Sequence, residues 1–378
     1  MQGLRVQVCG SASVDCDGGV LAAAHDLVRT IVSGLMRRGG GLVLGVGDEP
    51  RSTSGQACLF DWTALDVIAS TSDPAPEWPP TRGARFVVVA SQRGVEKVPA
   101  WRADTWDNCR KRSDFQLRAS PAGWRMGGII RERQSQCGDV LVALGGGAGV
   151  EHLAQLYIQE RKPVIPIHTP LEAFSGDGRG GSRYLHERAL ENVGEFLRLR
   201  DGVGDAAGRL SGLRLTGSAN VERIARETVS LVTDLRPSDA FYVRLLARDH
   251  PEFPTVERFF RDVVDAVVIE RGFSPLEMGR AKPSAPFMNV DIFEALHRSG
   301  LIIVDLTAMR PNCTMELGYA LGRRRRIVIS ARTGTPLPFD SDKLPTYFWD
   351  DTGAPAGRIA DYRDWFDRYS DLPPLVEQ

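Results

Sequence analysis

Two carboxylates in the last third of the chain carry the strongest chemical signal. In LIIVDLTAMRPNCTMELGYALG, Asp305 stands where an apolar run gives out, and Glu316 follows Asn312 by four residues. The pattern predicts a buried strand over 301–306, a Pro311-Asn312 turn and a helix over 313–322 with Asn312 as its N-cap. Open parallel sheets bind ligands beyond the carboxyl ends of their strands, so both acids are expected to face one crevice. The dipole of the helix would keep Glu316 ionised in its first turn. An ionised carboxylate beside an anomeric carbon stabilises an oxocarbenium-like transition state or attacks it. The plainer reading is that Glu316 caps the helix or pairs with a nearby arginine.

A second signal is glycine. The run DVLVAL over 139–144 leads into Gly145-Gly146-Gly147-Ala148-Gly149 and a helical stretch over 150–159. Glycines let backbone N–H groups approach an anion closely, and a helix N-terminus adds a favourable dipole. A tight strand-to-helix turn needs glycine in any case. The first strand, RVQVC over 5–9, also ends in a small-residue turn, Gly10-Ser11-Ala12-Ser13. Two such turns beside a reversal of strand order would form one phosphate crevice. Arg93, Arg125, Arg131 and Arg133 follow or precede strands of this half and are candidate anion partners; Asp48 and Glu49, just past a strand over 42–46, are candidates for ribose hydroxyls or else a solvated turn.

The elements that must position these residues alternate. Strands at 5–9, 42–46, 86–90, 139–144 and 164–167 are separated by helical spacing at 21–37 and 150–159. Glycine-rich stretches at 175–183 and 201–220 read as loops, a helix follows at 221–235, and Arg236-Pro237-Ser238 breaks it. The rhythm restarts with a strand at 240–246, helices at 254–270 and 290–298, the strand at 301–306, the 313–322 helix and a strand at 326–330. The expected fold is α/β, two Rossmann-like three-layer domains, each with a mainly parallel sheet. The expected boundaries are 1–205 for the first domain, 206–237 for a linker and connecting helix, and 238–378 for the second.

Composition narrows the classes. With 378 residues, 42% hydrophobic and 25% charged, the chain has material for two cores, and 47 basic against 48 acidic residues leave a charge of −1. That balance argues against a nucleic-acid binder, and the four arginines at 323–326 suit the negative end of a helix dipole. Five of the basic residues are lysine and 42 arginine, the better fork for phosphate and also the mark of a GC-rich genome. No apolar run approaches the roughly 18 residues of a membrane span, and the start lacks a secretory layout. Six cysteines show no CxxC pair and no histidine at ligand spacing, so neither a metal site nor a disulfide scaffold is expected. A cytoplasmic protein is the expectation.

The strand–GSAS turn, LGGGAGVEHLAQ and the following KPVIPI resemble the SLOG superfamily over roughly 3–200. That superfamily comprises Rossmann-like domains that include lonely-guy phosphoribohydrolases and the nucleotide sensors of bacterial defence proteins. The resemblance implies a nucleotide site at Gly10, Ser11, Ser13, Gly145, Gly146, Gly147 and Gly149, to which Arg93, Arg125 and Arg131 are the candidate anion partners by position. The lonely-guy enzymes place their catalytic glutamate shortly after Pro-Gly-Gly-x-Gly-Thr. Here Glu151 comes one step early, a rotation of about 100° around a helix, which favours sensing over hydrolysis.

The stretch from about 238 to 350 resembles the TIR-like branch of the nucleoside deoxyribosyltransferase-like superfamily, with an Asp-Ile helix, LIIVDLT, a Pro-Asn turn, ELGYA and Pro338-Phe339-Asp340. The resemblance implies that Glu316 is the catalytic carboxylate for an N-glycosidic bond, that Asp305 joins it in the catalytic pair by holding ribose hydroxyls, and that Asp291, Asn312 and Thr307 bind substrate. Ala247-Arg248-Asp249-His250 replaces the Pro-Phe loop common in relatives, which leaves substrate preference open. Together the two resemblances imply a defence-type effector. Its SLOG-like domain would sense a nucleotide-derived ligand, such as an ADP-ribose species. Its TIR-like domain would cleave NAD as a homo-oligomer, with no further cofactor, membrane or nucleic-acid partner. A non-enzymatic nucleotide sensor and a nucleoside or nucleotide glycosidase or transferase are the alternatives.

Overall fold

The computed structural model describes residues 3–71, 78, 83–121, 127–171, 180–200, 202–236, 238–277, 288–323, 325–337 and 343–370. The chain divides into two units, Met1–Arg236 and Pro237–Gln378. Each is built on a wholly parallel sheet, so the α/β class and the two Rossmann-like domains expected from the sequence are what the chain adopts.

In the first unit β1 (Arg5–Ser11), β2 (Gly41–Leu44), β3 (Phe86–Ser91), β4 (Phe115–Ser120), β5 (Val140–Gly145) and β6 (Val164–Ile167) lie in the order β4-β3-β2-β1-β5-β6. The chain winds outward from β1 to β4, then returns to the other side of β1 as β5. That reversal places the ends of β1 and β5 side by side, Gly10 opposite Leu144 and Ser11 opposite Gly145. All six residues of β5 are buried, as expected of a central strand covered by helices on both faces.

Helix Gly18–Arg37 begins at Asp17, whose side chain accepts from the Val20 N–H at 2.8 Å. Among the described residues it is the helix long and apolar enough to cross a membrane by length and composition, and more than half of it is buried within this unit. Leu21, Leu27, Ile31 and Leu35 lie in the main core.

The structure moves the domain boundary. The segment from 206 to 236, expected as linker and connecting helix, is part of the first unit. Leu210, Leu213, Leu215, Val221 and Ile224 are buried in its core, and backbone bonds between His168 and residues 213 and 215 extend the sheet beyond β6. Helix Val221–Asp234 lies against Gly18–Arg37, where Arg38 Nη1 donates to Thr233 Oγ1 at 2.8 Å. Its apolar side needed that surface, so the glycine-rich sequence before it is a folded connection. Ser182 and Arg183, expected in a loop, begin helix Ser182–Glu191, and 172–179 lie outside the described residues.

In the second unit β7 (Ser238–Val243), β8 (Phe273–Leu276), β9 (Leu301–Asp305), β10 (Ile327–Arg332) and β11 (Thr346–Trp349) lie in the order β11-β10-β9-β7-β8. The helix expected over 254–270 runs as Phe253–Phe259 and Asp265–Glu270, joined by a π-helical turn at Phe260–Val264. Phe259 stacks on Trp349 of the edge strand at 4.3 Å between ring centres. β4, β8 and β11 are edge strands that the apolar pattern did not mark, and β8 contains Pro275, which an edge tolerates.

Candidate functional sites

In the first unit the two small-residue turns meet as expected. A Cβ on Gly10 would stand 1.6 Å from the Leu144 carbonyl oxygen, so only glycine lets β1 and β5 approach this closely at their ends. Gly145 has φ +65°, and a Cβ there would lie 2.3 Å from the Ser11 carbonyl oxygen. The Gly146 N–H donates to Ser11 O at 2.7 Å, and the Gly145 N–H donates to Ser182 Oγ at 2.6 Å. Ser182 in turn donates to Ile167 O at 2.7 Å.

Two amides of the turn therefore hold the protein together. An anion would meet the turn farther along, at the start of helix Ala148–Gln159, where Gly147 is the cap without a capping side chain and Ala148 and Gly149 are exposed. Arg131 lies beside that start: its Nη1 would be 3.5 Å from a Cβ on Gly149, and its Nε donates to His152 Nδ1 at 3.0 Å. Glu151 faces elsewhere, accepting the Gly181 N–H at 2.6 Å, so it holds the returning chain rather than facing the turn.

The other residues read from the sequence distribute differently. Ser13 sits in the turn after β1, its Oγ accepting the Asp15 N–H at 3.4 Å. Arg93 is exposed in a short helix after β3, two strands from β1 and so roughly 10 Å off. Arg133 donates to Ser120 Oγ at 2.6 Å at the far edge. Arg125 lies outside the described residues. Glu49 is not a solvated turn residue. Its side chain is buried and accepts from Arg51 Nη2 at 2.9 Å, from Trp101 Nε1 at 2.8 Å and from the Arg102 guanidinium. Burial alone would raise its pKa, but those donors outweigh burial and hold the carboxyl below its ordinary value.

In the second unit the helix carrying Glu316 is Pro311–Gly322, capped at Arg310 rather than Asn312, with proline in its first turn. Asn312 is exposed in that first turn, and Glu316 falls in the second. The dipole does not dominate there: burial pushes the Glu316 carboxyl up to about 7. Glu316 is half-buried and has no hydrogen-bond or ion-pair partner among the described residues. Among the described residues, Glu316 therefore neither caps the helix nor pairs with an arginine.

Asp305 is fully engaged. Its Oδ2 accepts from Ser330 Oγ and Trp349 Nε1, both at 2.8 Å, and its Oδ1 accepts from the Thr307 N–H at 3.1 Å. It is 2% exposed, and burial raises its pKa despite those donors. It ties β9 to β10 and β11 and does not open toward a ligand. Thr307 Oγ1 accepts the Arg332 N–H at 2.9 Å. Burial, then the charges of Glu316 and Asp305, push the Cys313 thiol up to about 12, so this side chain lies near both acids. Asp291 is half-buried in the first turn of helix Met288–Arg298, and Pro338-Phe339-Asp340 lie outside the described residues.

One polar group at this sheet's carboxyl edge escaped sequence reading. Arg244, directly after β7, is buried and places Nη2 on Glu257 at 2.6 Å and Glu277 at 2.8 Å, while its Nε and Nη1 have no acceptor among the described residues. An arginine closing an apolar strand was the local signal.

Parallel sheets with a strand reversal and residues gathered at the strand ends define a pair of Rossmann-like α/β units. The chain belongs to the family described as ATP nucleosidase Cap17-like, N-terminal, which matches residues 1–235, all but the last residue of the first unit. ATP nucleosidase Cap17 of Escherichia coli strain KTE188 is 24% identical over 175 residues, covering 46% of this chain and 34% of that protein. An Escherichia coli relative of the same name matches to the same extent. The chain spans about a third of the length of these curated relatives.

Proposed function

We propose that the protein is a defence-type N-glycosidase whose second unit cleaves the base–ribose bond of a nucleotide with Glu316. The observation that carries this reading is Glu316 itself: half-buried, without a partner among the described residues, and with a carboxyl raised to about 7, it sits on the helix that follows β9. Structural carboxylates are paired, as Asp305 and Glu49 are; an unpaired one held near neutrality suits acid–base or nucleophilic work. The first unit would bind a nucleotide-derived signal, such as an ADP-ribose species, at the β1–β5 turns and Arg131. Binding there would promote assembly of a homo-oligomer.

Two substrates follow from the chemistry. Nicotinamide leaves NAD from a ring that is already cationic, so the ionised carboxylate is the working form, stabilising or trapping the ribosyl cation. Adenine leaves ATP readily only when protonated, so there the neutral acid is the working form. The name of the relatives and the raised carboxyl both favour ATP as the second reading. Incubation with each nucleotide, followed by chromatography, should release nicotinamide or adenine. Activity on NAD should rise through about pH 7, and activity on ATP should fall above it. Glu316→Gln should abolish release and leave binding intact; release at the wild-type rate in that variant removes the mechanism. Binding without any turnover across nucleotides would select a non-enzymatic sensor.

A further inference from the structure

In dinucleotide-binding sheets the ligand crosses the strand ends at the reversal of strand order, and an acid near the end of the second strand accepts from the ribose hydroxyls. In this chain the acids that follow β2 in sequence are Asp48 and Glu49, and Glu49 is taken up by Arg51, Trp101 and Arg102. The fold brings another acid to the same place. Residues 57–60 cross the end of β1: the Ala12 N–H donates to Cys58 O at 2.8 Å, and Ser11 pairs with Leu59. Helix Asp61–Ser70 therefore starts over the ends of β1 and β2.

Asp61 Oδ1 accepts the N–H of Gly45, the first residue after β2, at 2.6 Å. Asp61 lies close enough to Cys9 for its charge to add to the effect of burial in raising that thiol, and Cys9 directly precedes the Gly10 turn. Gln134 approaches from the other face, its Nε2 reaching Val89 O at 3.5 Å beside Gly45. Beyond the Gly45 N–H, the Asp61 carboxylate receives only its own backbone N–H among the described residues, and the residue is partly open to solvent.

We propose that Asp61 is the ribose-recognising acid of the first unit: Oδ1 anchors it on Gly45, and Oδ2 accepts from the 2′- or 3′-hydroxyl of a ribonucleotide whose phosphates lie at the Gly147–Gly149 amides and Arg131. This assignment rests on the reading of the β1–β5 crevice as a nucleotide site. The test is calorimetric titration of the full chain, carrying Glu316→Gln to prevent turnover, with ATP, 2′-deoxy-ATP and 3′-deoxy-ATP. One of the deoxy nucleotides should bind roughly tenfold to a hundredfold more weakly than ATP, the effect of one hydrogen bond to a charged group.

Asp61→Asn keeps the acceptor for Gly45 and should shrink that ratio, and Asp61→Ala should bring it to about one. A purely structural Asp61 would weaken all three nucleotides together and leave the ratio unchanged, which overturns the assignment. Arg131→Ala separates the two levels. If it leaves binding of all three unchanged, or if none binds, the crevice reading falls and the assignment with it. If it weakens all three while Asp61→Ala keeps the ratio, only the assignment falls.

Discussion

Glu316→Gln should make the second unit more stable, by an amount that grows from acid to neutral pH and is complete above about pH 7. In the unfolded chain this carboxyl titrates near its ordinary 4.5; in the fold, burial lifts it to about 7. Between those values the folded state holds a proton that the unfolded state has released, so stability falls as pH rises and levels off above about 7. The difference corresponds to roughly 3 kcal/mol at full burial. With the carboxylate partly open to water, screening reduces it to about 1–2 kcal/mol. Glutamine has no charge to bury, so the variant should exceed wild type by about that amount at pH 8 and by about a quarter of it at pH 5. Urea unfolding followed by circular dichroism reads this as a midpoint shift of roughly 0.5–1 M at pH 8. A gain of the same size at both pH values would refute the burial argument, and so would a loss of stability at pH 8. A gain that grows with pH in this way would mark Glu316 as held against the interest of the fold, as catalytic groups often are.

Arg102→Ala should destabilise the first unit by about 3 kcal/mol, because it strips the buried Glu49 carboxylate of its principal donor; chemical denaturation checks this, and a loss below about 1 kcal/mol contradicts it. Gly10→Ala should disrupt the β1–β5 junction, since the added Cβ meets the Leu144 carbonyl at 1.6 Å, whereas Gly47→Ala meets nothing within 4 Å and should be neutral in the same thermal melt.

What could be read from the residues was what local pattern encodes. β3, β5 and β9 announced themselves because strands buried on both faces are continuous apolar runs. β4 did not, because an edge strand can carry Gln116 and Arg118. The helix that bears Glu316 was visible in its turn and spacing, although proline set its first turn and moved the cap to Arg310. The pairing of Asp305 with Trp349 was invisible, since their side chains meet only after β11 has joined the sheet. The same holds for Glu49 and Asp61: one is claimed by Arg102, the other is delivered to Gly45 across β1, and neither contact has a local signature. The glycine turns were legible as a pair because each follows a strand, yet only the register of β1 on β5 showed which amides the protein keeps for itself.

The packing of Val221–Asp234 on Gly18–Arg37 also sets an order of events during synthesis. Domains form as units while the chain emerges from its N-terminal end. Within this unit a helix with the length and apolarity of a membrane span emerges early, and its covering helix is the last to appear. Throughout that interval the nascent chain displays a surface that invites aggregation or membrane contact. The helix beside the domain boundary thus acts as a closing clasp, and a fragment cut at 205 would leave the first unit permanently in its most vulnerable state.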